Sequence, residues 1–454
     1  MTAPQMTLVA FLQAQNCSNL VASWRHPDTE LGYGTPAYYQ NIARTLERGK
    51  FQMAFFDDRL AMPDRYGDDH RDTVEHGVRA VKLDPISVVT AMGLATERLG
   101  LGATYSTTYY EPFHVARVFA TLDLLTQGRV AWNVVTSLNN SEAANFGAQE
   151  HLAHDLRYER ADEFLEVVLG HWDTWQEGAV LHDKANGRFA DASRVRRLDH
   201  SGKWFKSRGP FTVPRSAQGH PVLIQAGQSG RGSEFAARWG ELVFVIYPNI
   251  DVARRSYADF KRKVAAHGRD PAQVKVAPAV YVIAAESRAE AEDKKAAIDA
   301  LVKPVDGLAL LSEVLNFDFA TKRPDEPFTD EELGSITGLR AILDRVIAQS
   351  GLARPTLADF LRFSGRGTTD ELATFVGSKT DVADQMEQWF RTGACDGFVL
   401  AATSMPGSYE DFVRLVVPEL QRRGVFHHDY EGPTLRDNLG LARPAAGDWK
   451  HLYR

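Results

Sequence analysis

Short apolar runs, rich in β-branched and aromatic residues, alternate along the chain with longer segments whose apolar residues fall three and four apart. The short runs predict strands at residues 8–12, 53–56, 100–104, 130–135, 222–225, 242–246, 276–282 and 397–400. The longer segments predict helices over 38–48, 84–95, 113–125, 158–172, 252–266 and 409–420. The second of these helices has Pro85 just inside its start, where the missing N–H costs nothing. Strand and helix in alternation is the pattern of a parallel sheet. Eight such units make an α/β fold of the (β/α)8 TIM barrel type, with residues 1–454 forming a single barrel.

A barrel needs roughly 250 residues, so a surplus on the order of 200 must be carried elsewhere. The spacing puts it in insertions after strands four and seven, at about 136–220 and 284–396. A doubly wound sheet is the competing fold. It would carry a glycine-rich nucleotide loop after its first strand, whereas here that strand runs into Gln13-Ala14-Gln15-Asn16.

Composition narrows the setting without naming a function. The 454 residues carry 52 basic and 59 acidic side chains, a net charge of −7, with 44% hydrophobic residues. A pI near 6.1 argues against a nucleic-acid partner. The two cysteines, Cys17 and Cys395, suit a reducing compartment with packed thiols. The N-terminal stretch lacks a basic, uninterrupted signal-peptide pattern. No apolar run approaches the ~18–20 residues of a membrane span, and a cytoplasmic location is expected.

Chemistry on this fold gathers at the C-terminal ends of strands. Asp57 and Asp58 end the second predicted strand, Thr104 and Ser106 the third, Asn133 and Thr136 the fourth, and Gln225 the fifth. Any one of them could simply be a solvated strand end; as a set they suggest a site. After the fifth strand, Gly227-Gln228-Ser229-Gly230-Arg231-Gly232-Ser233 leads into a helical run. Such a turn offers free N–H groups and a helix N-terminus to a phosphate, or is an ordinary strand–helix turn. Phe11, Phe56, Ile246 and Tyr247, near the ends of strands one, two and six, suggest an apolar, aromatic-accepting substrate pocket, or plain core. His151 and His154 lack a third ligand at a recognised spacing, and no HExxH or GxSxG motif occurs, so no metal is expected. A carboxylate pair such as Asp58 and Glu142 is not singled out by anything else in the sequence.

Several long blocks carry a family resemblance. These are FQMAFFDD at 51–58, LGLGATYSTTYYEPFHVARVFATLD at 99–123, GRVAWNVVTSLNNSEAANFG at 128–147, HLAHDLRYERADEFLE at 151–166, GPFTVPRSAQGHPVLIQAGQSGRG at 209–232, DGFVL at 396–400 and PGSYEDFVRLVVPELQRRG at 406–424. Together they resemble the bacterial-luciferase-like flavin monooxygenases over nearly the whole chain. Within that family the likeness is to the branch of nitrilotriacetate, EDTA and dibenzothiophene-sulfone monooxygenases.

The resemblance implies a (β/α)8 barrel that uses FMN, as FMNH2, and O2 as cosubstrate, with a flavin peroxide at N5 or C4a as the oxidant. A separate NAD(P)H:flavin reductase would be the partner, and a homodimer or homotetramer the assembly. By motif, Asp58, Thr104, His154, Tyr158, Ser229 and Gly230 are the implied FMN-binding residues. Asn133 joins them, and Thr104 with Asn133 is the implied catalytic pair, donating hydrogen bonds to a developing peroxide anion. Residues 304–375 would form either a lid or a subunit interface. The substrate expected is a hydrophobic aromatic xenobiotic, a cyclic sulfone or a halogenated or electron-poor ring, so that turnover would be a desulfurisation or dehalogenation step. A polyaminocarboxylate is the alternative, with Arg25, Arg59, Arg65 and Arg231 as its cations. A non-catalytic flavin-binding relative and a metal-dependent barrel hydrolase are the readings from other classes.

Overall fold

Eight parallel strands close into a barrel: β1 (Thr7–Leu12), β2 (Met53–Phe56), β3 (Gly100–Ser106), β4 (Val130–Val135), β5 (Val222–Gln225), β6 (Leu242–Val245), β7 (Lys275–Ala285) and β8 (Gly397–Ala401). The structure, a computed structural model, describes residues 4–148, 151–228, 230–447 and 450. Neighbours in sequence pair in register around the ring, and closure comes from Val243 opposite Val276 and Val9 opposite Val399. The TIM-barrel fold and all eight predicted strands are therefore observed, with ends shifted by a few residues at most.

The strands read as unbroken apolar runs because both of their faces are buried. Val9, Phe11, Met53, Phe55, Ile224, Leu242 and Tyr281 fill the barrel interior. The alternating residues, such as Leu8, Ala10, Phe56, Leu223 and Val243, pack outward against the helices. Local chemistry sets the helix boundaries. Asp84 caps Pro85–Gly93 by accepting from the Ile86 N–H at 2.8 Å, and Asn249 caps Ile250–Ala266 through Val252 at 3.0 Å.

The long gaps after β4 and β7 each contain one crossover helix of the barrel itself, His154–Trp172 and Lys379–Arg391. The surplus is correspondingly smaller than the gaps. After β4 it comprises the helix Asn140–Asn145 and two small antiparallel pairs. After β7 it comprises helices Arg288–Asp299, Pro304–Leu315, Asp330–Ser335, Arg340–Ser350 and Leu357–Ser364, and it has a core of its own around Phe319, Phe328 and Phe360. A ninth strand, Ala373–Ser378, pairs outside the ring with the second half of β7. Its short, partly polar sequence ATFVGS carries no strand signal strong enough to predict it.

At the opposite end of the barrel Leu435, Leu439 and Leu441 join the interior core and plug it. Gly100 is required there, since a Cβ would lie 2.5 Å from Leu435 Cδ1. Both cysteines are buried free thiols. Among the described residues no helix is long and apolar enough to cross a membrane.

Candidate functional site

Thr104 and Asn133 sit opposite one another where β3 pairs with β4. Gly102 and Ala131, two residues earlier, lie in the barrel, so strand alternation turns both polar side chains to the barrel axis at its C-terminal mouth. The Asn133 amide donates to Thr104 Oγ1 at 2.9 Å, and the Thr104 hydroxyl donates to the Phe56 carbonyl at 2.8 Å. The threonine proton is thus already committed. Thr104 orients Asn133, and the amide faces the mouth. Asn133 Oδ1 is buried and has no partner among the described residues, and such an acceptor in a low-dielectric site calls for a donor from a ligand. Gln13, just past the end of β1, likewise has a buried Nε2 without an acceptor among the described residues.

Next to this pair, Ser106 and Ser137 share a 3.0 Å hydrogen bond, and Arg157 donates to the Ser137 carbonyl at 3.0 Å. His154 and Tyr158 lie one turn apart on the crossover helix that follows β4, with ring centroids 5.1 Å apart. His154 is exposed and pairs with Asp155 at 2.9 Å. Tyr158 is buried, and that burial raises its pKa. Arg231 stands over its ring while ion-paired to Asp162.

The turn after β5 is held from below. Gln225 donates to the Val134 carbonyl at 2.9 Å and accepts from the Gly227 N–H at 2.5 Å, so it shapes the turn and does not face the mouth. Gly230 opens the helix Gly230–Trp239 with φ +43. A Cβ at Gly232 would lie 2.6 Å from the Tyr158 hydroxyl, and one at Gly227 2.4 Å from the Gly232 carbonyl. Only glycines permit this backbone cradle, whose N–H groups and helix N-terminus suit a phosphate. Ser229 lies outside the described residues.

On the other flank, Asp57 is ion-paired with Lys82. Asp58 accepts from the Arg59 N–H at 2.8 Å, yet burial pushes its carboxyl up to about 7, a rise that Lys82 offsets in part and that Asp57 and Asp84 reinforce.

The four residues expected to form the substrate pocket are not brought together. Phe11 lies in the barrel, its ring 5.4 Å from Phe55 and 5.1 Å from Phe244. Phe56 is fully buried in the outer layer against Tyr39, and Tyr247 is also turned to the helix layer. Both expectations are corrected by the two-residue period of a strand, which sends Phe55 and Phe244 inward instead. Alternation puts Phe55 and Phe56 on opposite faces of β2, and it is the pairing of β2 with β1, Phe11 opposite Phe55, that turns Phe55 inward. Ile246 is exposed at the rim, where Gln228 donates to its carbonyl and accepts from its N–H. Of the four arginines proposed for a polyanion, Arg25 is engaged bidentately by Asp306, Arg231 is ion-paired with Asp162, Arg65 is an exposed partner of Asp68, and Arg59 lies 3.8 Å from Glu313.

The insertion after β7 is fastened at this end. Asp318 accepts from Gly67, Asn316 donates to Leu138, and Glu313 accepts from Ser141, tying it to the loops after β2 and β4.

Comparison with known proteins agrees with this geometry. The model of the family described as luciferase-like monooxygenase matches residues 18–396. The dibenzothiophene-sulfone monooxygenase of Rhodococcus erythropolis is 46% identical, over 97% of each chain. Nitrilotriacetate monooxygenase component A of Aminobacter aminovorans is 40% identical over 93% of each. Among solved structures, a riboflavin lyase holding modified FMN and riboflavin superposes with a TM-score of 0.89 at 32% identity, covering 98% of each chain.

Proposed function

The chain belongs to the luciferase-like monooxygenase family and is a flavin-dependent monooxygenase, and from that premise we propose that it oxygenates a hydrophobic aromatic molecule, a cyclic sulfone or a halogenated or otherwise electron-poor ring. Reduced FMN, delivered by a separate NAD(P)H:flavin reductase, and O2 are the cosubstrates. The observation that carries the substrate reading is the stack of Phe11, Phe55 and Phe244 inside the barrel, one layer below the Thr104–Asn133 pair. Stacked rings with centroids about 5–6 Å apart offer an aromatic guest both area and edge-to-face contacts.

The donor set fits FMN. The glycine turn around Gly227, Gly230 and Gly232, with Ser229 by motif and with Tyr158 and His154, would hold the phosphate end, and the orphaned Asn133 Oδ1 would accept from an N–H of the ring system. Asp58 would face the same cofactor from the β2 side. When bound, the reduced flavin supplies O2 activation and transfer of one oxygen atom. Thr104 fixes the Asn133 amide, whose remaining N–H can stabilise negative charge that develops at the mouth. The insertion after β7 excludes water from the reacting atoms.

Chemically reduced FMN and O2 supplied with aryl sulfones, halogenated aromatics and aminocarboxylates test the reading. Oxygenated product from the aromatic members, detected by mass spectrometry, is expected. Asn133→Ala should lower product formation on the order of 100-fold while O2 consumption and free H2O2 persist. Turnover confined to aminocarboxylates would overturn the aromatic assignment.

A further inference from the structure

Arg79 is a buried cation without a carboxylate. Its residue is 6% exposed, and among the described residues its guanidinium finds only Asn19, whose carbonyl and Oδ1 both lie at 3.4 Å from Nη2. Its Nε has no acceptor. The backbone holds it at φ +55, a left-handed conformation that a side-chain-bearing residue adopts at a cost. A guanidinium with a buried, unpartnered Nε and only long contacts at Nη2 is expensive, because little replaces the water these atoms have lost.

Two more guanidiniums lie within electrostatic reach, Arg366 feeling the charges of both Arg79 and Arg59. Arg366, from the insertion after β7, is paired with Glu371, but its Nε is also buried without an acceptor. Burial lowers the pKa of Arg366, Glu371 counters this, and the charges of Arg79 and Arg59 add to the lowering. Arg59 has a buried Nη1 without a hydrogen bond, its nearest carboxylate being Glu313 at 3.8 Å. Three arginines thus face two glutamates, and burial raises the pKa of Glu313.

The place of this cluster in the fold gives it a meaning. Asn19 donates to the Tyr281 hydroxyl at 2.7 Å, and Tyr281 is an interior residue of β7. Tyr281 pairs in register with Ala401, and Ala401 with Phe11. The cationic cluster therefore stands over the β7–β8–β1–β2 sector, across the barrel from the glycine cradle after β5 and next to the aromatic stack.

We propose that Arg79, with Arg59 and Arg366, forms a subsite for one anionic group, a carboxylate or sulfonate, carried by the aromatic substrate whose ring lies on Phe11. This rests on the aromatic reading above and narrows it to aromatic monoanions. Guanidiniums suit this role because their fixed N–H forks match carboxylate and sulfonate oxygens. Arg366 and Arg59 come from the insertion and the β2 loop, so the anion would also stitch the cover to the mouth.

Direct binding separates this inference from the catalytic one, since it needs no turnover. The intact chain is titrated with benzenesulfonate and with phenyl methyl sulfone, a neutral aryl sulfone. Benzenesulfonate is expected to bind at least tenfold more tightly, with an affinity that falls as salt rises, and to slow amide exchange in residues 77–83 and 364–371. Arg79→Gln should abolish the tenfold preference without weakening the neutral ligand, and Arg79→Lys should restore part of it. Equal binding of the two ligands to the unmodified chain, or protection elsewhere than these segments, would overturn the subsite whether or not the variants fold. If the anion subsite is found but aromatic compounds are not oxygenated, the reading that fails is the catalytic one.

Discussion

At the scale of single residues, the mouth of the barrel is defined by polar groups whose environment departs from that of ordinary strand ends. Asn133 keeps one buried oxygen without a donor, and Thr104 has spent its hydroxyl on holding that amide. Asp58 is held near neutrality by burial. Its ordinary value of 3.8 becomes about 7 in the folded chain, so the folded state keeps a proton that the unfolded chain has already released. The cost to stability is absent below about 3.8, grows as the pH rises, and is complete above about 7. Asp58→Asn should therefore raise the guanidinium midpoint near pH 8 and leave it unchanged near pH 3.5. An equal shift at both values would remove the pKa argument. Asp58, Thr104 and Asn133 were legible as strand-end polar residues. The direction of Phe56 and Tyr247 was not, because a strand that is apolar on both faces does not mark which face turns inward.

At the scale of elements, the segment after β7 behaves as a unit with its own apolar core that is fastened to the barrel through polar ties. The firmest is Arg25, which reaches both oxygens of buried Asp306, at 2.7 and 2.9 Å, and also the carbonyls of His76 and Leu301. It links the loop after β1, the end of the helix Arg71–His76 and the start of Pro304–Leu315. Removing one partner of such a buried pair costs about 3–5 kcal/mol, mostly through the stranded charge. Arg25→Ala should speed protease cleavage within 304–372 while the barrel core stays resistant, as read by timed digestion and mass spectrometry. Cleavage at an unchanged rate would mean that the other ties suffice. The position of the insertion in sequence was predictable from the surplus length. Its partners were not, since Arg25 and Asp306 are 281 residues apart and carry no motif.

At the scale of the whole molecule, the barrel is closed at the end away from the mouth. The C-terminal segment crosses the barrel bottom, where buried Arg436 grips both oxygens of Glu241 at 2.7 and 2.9 Å. Burial alone would raise the Glu241 carboxyl, but Arg436 outweighs it and holds it at about 2. With a folded value below the ordinary 4.5, the pair stabilises above that pH, and its contribution is lost as the pH falls towards 2. Arg436→Ala should cost about 3–5 kcal/mol in denaturant unfolding at neutral pH, and much less in acid. A loss that is constant with pH would point to packing alone.

The sequence by itself determined the barrel, because eight two-sided apolar strands separated by amphipathic helices leave few other ways to bury their faces. It also determined which polar residues end those strands and, through long motif blocks, the family. Only the tertiary structure decided which rings line the interior, which arginines are consumed by internal carboxylates, and that Arg79 is left with its charge buried beside them. Strand register and long-range ion pairing fix those outcomes, and both join residues whose separation along the chain leaves no periodic trace.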